Sequence, residues 1–229
     1  MGTPARHNNT NFVTFFKALA VNASCGVVAY WAYREGWINA VLKADAVYIS
    51  RTIFGLGLLG LAMVMWRIFN VSRELNIAHK YYAFAREKGA REAGFWLKST
   101  QSLVAEFARR YREAKADDKP IIVDQLEKKM IRKFSYLAAL EDWLVRLGLL
   151  GTVVGFRMGL SMIDFEAFRN FELFGPFLSK LTGAFFIALD TTIVGICMAI
   201  WLDINLKWIL RPAMGQVIEE AVNIGVSYE

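Results

Sequence analysis

Apolar residues run along this chain in blocks rather than in the alternation of a strand or the narrow stripe of a soluble helix. A helix needs about 20 mostly apolar residues to cross a bilayer, and four stretches meet or approach that length: about Phe12 to Tyr33, Val47 to Phe69, Trp143 to Ile163 and Gly183 to Ile204. The second, containing IFGLGLLGLAMVMW, is the most uniform. The first carries Lys17 near its start, where a long side chain can reach back to the headgroups. The third reads WLVRLGLLGTVVGFRMGLSMI, with Arg146 and Arg157 inside it, and the fourth holds FIALDTTIVG, with Asp190 in mid-run.

The polar stretch from Asn70 to Asp142 has a different rhythm. Leu103, Phe107 and Tyr111 recur at helical spacing, as do Ile122, Leu126, Met130, Phe134 and Leu137, so this region reads as helical. ADDKP at 116–120 is its one strong break. Past Pro120 nothing interrupts the pattern until the glycines of the third span. A single helix of roughly 40 residues, about 60 Å long, is therefore expected to climb from the polar region through the membrane. The expected fold is all-α and multi-pass, with four transmembrane helices and a helical cytoplasmic region. Its parts are 1–69 with the first two spans, 70–142 in the cytoplasm, 143–204 with the last two spans, and a cytoplasmic tail over 205–229.

Composition supports the membrane reading: 55% of the 229 residues are apolar, 17 of them Phe and 7 Trp. The net charge of +6 could point to nucleic acid, but its placement argues otherwise, because more than half of the 27 Lys and Arg lie between the second and third spans. Such an excess marks a cytoplasmic segment, which leaves the short connections 34–46 and 164–182 outside and both termini in the cytoplasm. The run RRYR at 109–112 could touch anionic lipid or a partner, although a charge run is more often a solvated face. Cys25 and Cys197 sit in apolar runs as small packed side chains, and His7 and His79 lack companions at ligand spacing, so neither a disulfide nor a metal site is expected. The start of the chain imitates a secretory signal, with Arg6 ahead of an apolar stretch and Ala23-Ser24-Cys25 behind it; it is expected to be retained.

Small residues give the last two spans their character. Gly148, Thr152, Gly155 and Gly159 fall along one side of a helix, with Gly151 beside them. Ala184, Ala188, Thr192, Gly195 and Ala199 repeat the device. Such stripes let helices approach closely in lipid, and tight packing alone would explain them. If the third span runs outward and the fourth inward, Thr152 and Thr192 lie about 14 Å and 16 Å above the inner boundary, close to a common level. The same count sets Arg157 level with Asp190 near the outer boundary, and Arg146 level with Asp203 near the inner one. A lone charge at depth costs about 2.5 kcal/mol or more, so opposite charges at matched depth are expected to pair, within a subunit or across to a neighbour. Asp190 points about 200° away from Thr192. The threonine face would then line a polar route while Asp190 ties the span to Arg157; alternatively, Asp190 itself carries the ion.

LGLLGTVVGF at 147–156, followed by GAFFIALDTTIVG at 183–195, resembles the two pore-lining helices of the MotA/TolQ/ExbB proton-channel family. The order of parts fits the four-span, MotA-like arrangement. The resemblance implies an ion-conducting subunit of a homo-oligomeric ring, commonly a pentamer, in the bacterial inner membrane. The ring would surround the single-span helices of a partner of the ExbD/TolR/MotB kind, in two copies, and use the proton motive force to do mechanical work. In that family the proton-carrying aspartate belongs to the partner. Thr152 and Thr192 match the ring threonines that face it, and Thr191 matches the first residue of the double-threonine motif. Asp190 and Arg157 depart from the family pattern.

Other classes fit less well. The sequence has no nucleophile with a base at motif spacing, no glycine-rich phosphate loop opening a helix and no metal cluster, so neither an enzyme nor a cofactor is expected. Four spans without an inverted repeat argue against a secondary transporter. A non-conducting membrane scaffold remains the alternative, because small stripes and ion pairs serve assembly equally well.

Overall fold

The computed structural model describes residues 12–44, 48–132, 134–161 and 171–226, and these are helical apart from short turns. The helices are α1 (Val13–Arg34), α2 (Trp37–Ala44), α3 (Ile49–Lys88), α4 (Ala90–Ser99), α5 (Leu103–Glu113), α6 (Lys119–Arg132), α7 (Ser135–Ser161), α8 (Phe171–Asp203) and α9 (Arg211–Val226). A 3₁₀ turn, Ala116–Asp118, precedes α6, and a π-helical segment, Ile204–Leu210, joins α8 to α9. That widened segment directly precedes Arg211-Pro212, where proline can neither donate to the helical ladder nor fit against the carbonyl one turn back. Glycines turn the chain after α1 and α3: Gly36 and Gly89 have φ of 79° and 92°, which only glycine adopts without strain.

Among the described residues, three stretches are long and apolar enough to cross a membrane: Val13–Arg34, Ile49–Lys88 and Phe174–Val226. The third expected span forms a helix, α7, but is not among these three; Arg146 and Arg157 interrupt its apolar run. The expectation of one helix rising unbroken from Pro120 is corrected. α6 ends at Arg132 and α7 begins at Ser135, with Phe134 in a turn whose N–H donates to the Ile131 carbonyl. The Ser135 hydroxyl donates to the Arg132 carbonyl at 3.1 Å, taking up a terminal carbonyl of α6. The ring of Phe134 lies under the guanidinium of Arg67, 5.7 Å from its centroid. The 40-residue helix of this chain is instead α3, about 60 Å long, which extends the second span through the first part of the polar region.

The described chain divides into two compact units, each built from separated pieces of sequence. One comprises residues 12–20, 64–136 and 205–226. Its core is made of large side chains, among them Tyr81, Val104, Phe107, Val217 and Ile224. The C-terminal segment expected as a tail is α9, packed on α5, where Gly225 leaves room for the Tyr111 ring. The start of α5 is held three ways. Ser102 accepts from the Ala105 N–H at 3.0 Å, and the Glu74 carboxylate from α3 accepts from the N–H groups of Leu103 and Val104 at 3.0 and 3.3 Å.

The other unit comprises residues 21–63 and 137–204. Its helices meet at small residues. A Cβ added to Gly60 of α3 would lie 2.8 Å from a Leu140 methyl, and one on Gly57 would run into the Met198 side chain. α1 is tied to α8 by a hydrogen bond from the Trp201 indole to the Asn22 amide oxygen, 2.8 Å long. The outer surfaces of α7 and α8 are apolar: Leu150, Val153 and Leu160 on one, Phe186, Leu189, Ile193 and Ile200 on the other, are all exposed.

Candidate functional site

The crossing of α7 and α8 is built on missing side chains. Gly148, Gly151, Gly155 and Gly159 are buried along one face of α7, and each meets α8 in antiparallel order. An added Cβ on Gly148 would lie 3.2 Å from the Thr191 carbonyl and 3.3 Å from Thr192 Cα. On Gly151 it would lie 2.5 Å from the Thr191 side chain, and on Gly155 2.8 Å from the Ala188 backbone. On Gly159 it would approach the Ala184 methyl at 3.1 Å, and on Gly195, across the crossing, the Leu144 carbonyl at 2.8 Å. Two backbones therefore run in near contact along the shared face. Close approach is what makes the polar chemistry of this site available, because it brings carbonyls of one helix within reach of hydroxyls on the other.

Thr152 and Thr192 occupy that seam, and their hydroxyl oxygens are hydrogen-bonded to one another. Thr152 Oγ1 also lies 3.2 Å from the Gly148 carbonyl of its own helix and 3.2 Å from the Ala188 carbonyl of α8. Thr192 Oγ1 lies 3.1 Å from the Gly148 carbonyl. Two hydroxyls carry only two protons. If Thr152 donates to Thr192, then Thr192 donates to Gly148; if the direction reverses, Thr152 donates to Ala188 or Gly148. Both arrangements satisfy every proton, and both leave acceptor lone pairs on the two oxygens. Both residues are half-buried. The pair can thus accept a hydrogen bond from a water or a protonated carboxyl group without holding charge of its own.

Thr191 is placed differently. It is buried against Gly151, and its hydroxyl donates to the Ala188 carbonyl at 2.9 Å, so it fills the seam. The charged candidates are not brought together within one chain. Arg157 is exposed on α7 and Asp190 is half-buried on α8, and no ion pair joins them among the described residues. Arg146 does not pair with Asp203. Its carboxylate is Asp142, one turn earlier on the same helix, at 2.5 Å, and a neighbour at that spacing is reachable without crossing to another helix.

Sequence reasoning missed the link between Asn22 and Trp201, and the fully buried Asn205 in the π-helical segment. The only signal available for either was a polar side chain inside an apolar run. Compared with protein-family models, with curated proteins and with solved structures, the chain matches none.

Proposed function

We propose that this chain is the ring subunit of an ion-driven membrane machine, conducting protons past the Thr152–Thr192 pair. In this reading four helices, α7 included, cross a bacterial inner membrane, both termini are cytoplasmic, and copies of the chain, commonly five in the family it resembles, surround the single-span helices of two partner subunits of the ExbD/TolR/MotB kind. A partner carboxyl group would supply the titrating site. The observation that carries the proposal is the hydroxyl pair itself: two uncharged, half-buried groups on apolar helices, paired through a proton that either can donate, with lone pairs to spare. Moving one charge across 100 mV releases about 2.3 kcal/mol, enough to bias a step between two packed arrangements of ring and guest helix.

The exposed Arg157 and the Asp190 that it does not meet within the chain support a tie between neighbouring copies, because charges at membrane depth need a partner. Loss of assembly in Asp190→Asn, regained when Arg157 is also neutralised, is the expected result. Normal assembly without ion flux would instead make Asp190 the carrier.

A second reading, a non-conducting scaffold, is favoured by one fact: the same hydroxyls are satisfied by carbonyls of their own chain, as packing alone would require. Proton flux into liposomes holding the chain and its partner decides between the two. Thr152→Val combined with Thr192→Val keeps the side-chain volume and removes both hydroxyls. The conducting reading expects most of the flux to disappear while the assembly stays intact; undiminished flux sinks it.

A further inference from the structure

The run RRYR at 109–112 takes no part in the ion pathway proposed above, and the fold gives its members separate tasks. Tyr111 turns inward: its ring occupies the space beside Gly225 and lies 5.7 Å from the Phe107 ring. The three arginines stay exposed and line two neighbouring clefts of one unit. Arg110 borders a cleft of about 350 Å³ between α5 and α6, where Lys128, Lys129 and Arg132 also stand. Arg109 and Arg112 border a second cleft, of about 700 Å³, together with Lys98 of α4. Glu106 and Lys129 line both, so the two clefts adjoin.

The cations are gathered. Arg110 and Lys129 meet on one oxygen, Glu106 Oε1, at 2.7 and 3.6 Å, and Lys128 and Arg132 lie within one turn of Lys129. Like charges three or four residues apart on a helix repel, as Lys128 and Arg132 do, and Arg109 and Arg112. Compensation is thin. Among the described lining residues seven cations face three carboxylates, Glu74, Glu106 and Glu113, and Glu74 already accepts from the N–H groups of Leu103 and Val104. Asp124, 2.7 Å from Lys128, adds one more at the edge. Ion pairs at a surface are worth little and exchange readily. The Glu106 oxygen therefore marks where an oxyanion is received, with positive charge left over around it. A phosphate group carries a charge of about −1.5 to −2 and three acceptor oxygens on one centre, a density that no single carboxylate reaches. Phe107, the one aromatic residue lining either cleft, is buried and offers no face for a base to stack on, which leaves phosphates alone to be recognised. We propose that the adjoining clefts bind an anion with two or more closely spaced phosphate groups, free in solution or on a lipid headgroup, with Arg110, Lys129 and Arg132 at the centre of the site.

The probe is inorganic triphosphate, titrated calorimetrically into the full-length chain in nanodiscs of neutral lipid. Binding is expected, with ATP no tighter than triphosphate and citrate at least about tenfold weaker. Lys129→Gln with Arg132→Gln, both at exposed positions, should weaken triphosphate about tenfold. Arg86→Gln with Arg91→Gln removes the same charge from exposed positions outside both clefts and should change the affinity by less than about twofold. Glu106→Gln removes the competing carboxylate and should tighten binding severalfold, whereas the exposed Glu92→Gln should not. Discs of cardiolipin and of phosphatidylglycerol, matched in charge, assign the source. Weaker triphosphate binding in the cardiolipin discs places the phosphates on a lipid headgroup, and equal binding places them in solution. Absence of triphosphate binding in neutral discs, citrate binding as tightly as triphosphate, or equal losses in the two double variants overturns the proposal. None of these outcomes depends on ion flux.

Discussion

The seam between α7 and α8 and the packing of α5 on α9 solve the same problem, joining two helices, with opposite materials. In the first, glycines and alanines bring backbones into contact, and hydroxyls bond to carbonyls across the gap. In the second, Val104, Phe107, Val217 and Ile224 interlock, and a single glycine, Gly225, accommodates the Tyr111 ring. In the membrane reading proposed above, the difference follows from the solvent around each pair. Burying a large apolar side chain gains about 1.5–3 kcal/mol when the alternative is water, and almost nothing when the alternative is lipid. Where that gain is absent, close packing and polar contacts must hold helices together, and close packing requires that there be no side chain at the crossing. A seam of this kind is consequently unforgiving of volume, whereas a core of large side chains can adjust.

The largest expected effect tests that contrast directly. In Gly155→Val the first added carbon already falls 2.8 Å from the Ala188 backbone, which has no rotamer to change. Overpacking typically costs about 1–3 kcal/mol, and a clash with backbone belongs at the top of that range or above it. The variant should lose its thermal transition in detergent, whereas Gly183→Val, at a glycine with nothing within 4 Å, should keep it. Equal behaviour of the two would show that α7 and α8 do not meet backbone to backbone. Next in size is the cap on α5. Glu74→Ala removes the acceptor of two N–H groups and a negative charge at a helix start, at a cost of about 1–2 kcal/mol. Faster hydrogen exchange at Leu103 and Val104 than elsewhere in α5 is the expected signature, and Glu74→Gln should recover part of the protection.

A smaller effect depends on pH. Tyr82 of α3 is partly buried and hydrogen-bonded to Glu220 of α9. Burial first, then that carboxylate, raise its phenol well above the ordinary value of about 10. The unfolded chain therefore releases this proton before the folded one does, and the stability held below about pH 10 is lost as the pH rises past it. Tyr82→Phe cannot show that loss. Its melting temperature should lie below that of the wild type at about pH 8 by a modest amount, and the gap should narrow above about pH 10. Parallel curves up to that range would contradict the raised phenol.

The helical character of the chain was legible because periodicity and length are local properties: Leu103, Phe107 and Tyr111 lie on α5 as their spacing predicts, and the apolar runs of the first, second and fourth expected spans lie in helices of spanning length. The antiparallel count of 1.5 Å per residue was enough to set Thr152 and Thr192 at one level, and the structure bonds them. Features decided by distant partners were not legible. The turn that separates α6 from α7 was hidden because Arg67, whose guanidinium lies over the Phe134 ring and donates to the Tyr136 hydroxyl, comes from α3, far away in sequence. Within the chain Arg146 meets Asp142 rather than Asp203 for a related reason: depth matching ranks partners by level and ignores the carboxylate one turn away. The docking of α9 on α5 was equally hidden, since a moderately apolar helix at the end of the chain gives no sign of its target.

The smallest prediction brings the comparison inside one helix. α9 holds two glycines in different surroundings: nothing lies within 4 Å of a Cβ added to Gly215, in the helix interior, whereas one on Gly225, next to the last residue of the helix, would sit 2.7 Å from the Tyr111 ring. Glycine costs a helix interior about 0.5–1 kcal/mol relative to alanine, through the backbone freedom it surrenders on folding. At the exposed Gly215 that penalty is offset by no contact, so Gly215→Ala should raise stability by about that amount. At Gly225, in the last turn of α9, the gain is smaller and meets an aromatic ring that must turn aside, so the net effect should have the opposite sign. Because this unit is built on side chains, the loss at Gly225 should be smaller than that of Gly155→Ala in the α7–α8 seam, where the obstacle is the Ala188 backbone and cannot turn. Thermal melts of the three alanine variants should therefore rank Gly215→Ala above wild type, Gly225→Ala below it and Gly155→Ala lowest. A reversal of the last two would mean that the seam yields more easily than the core and that its close approach is loose.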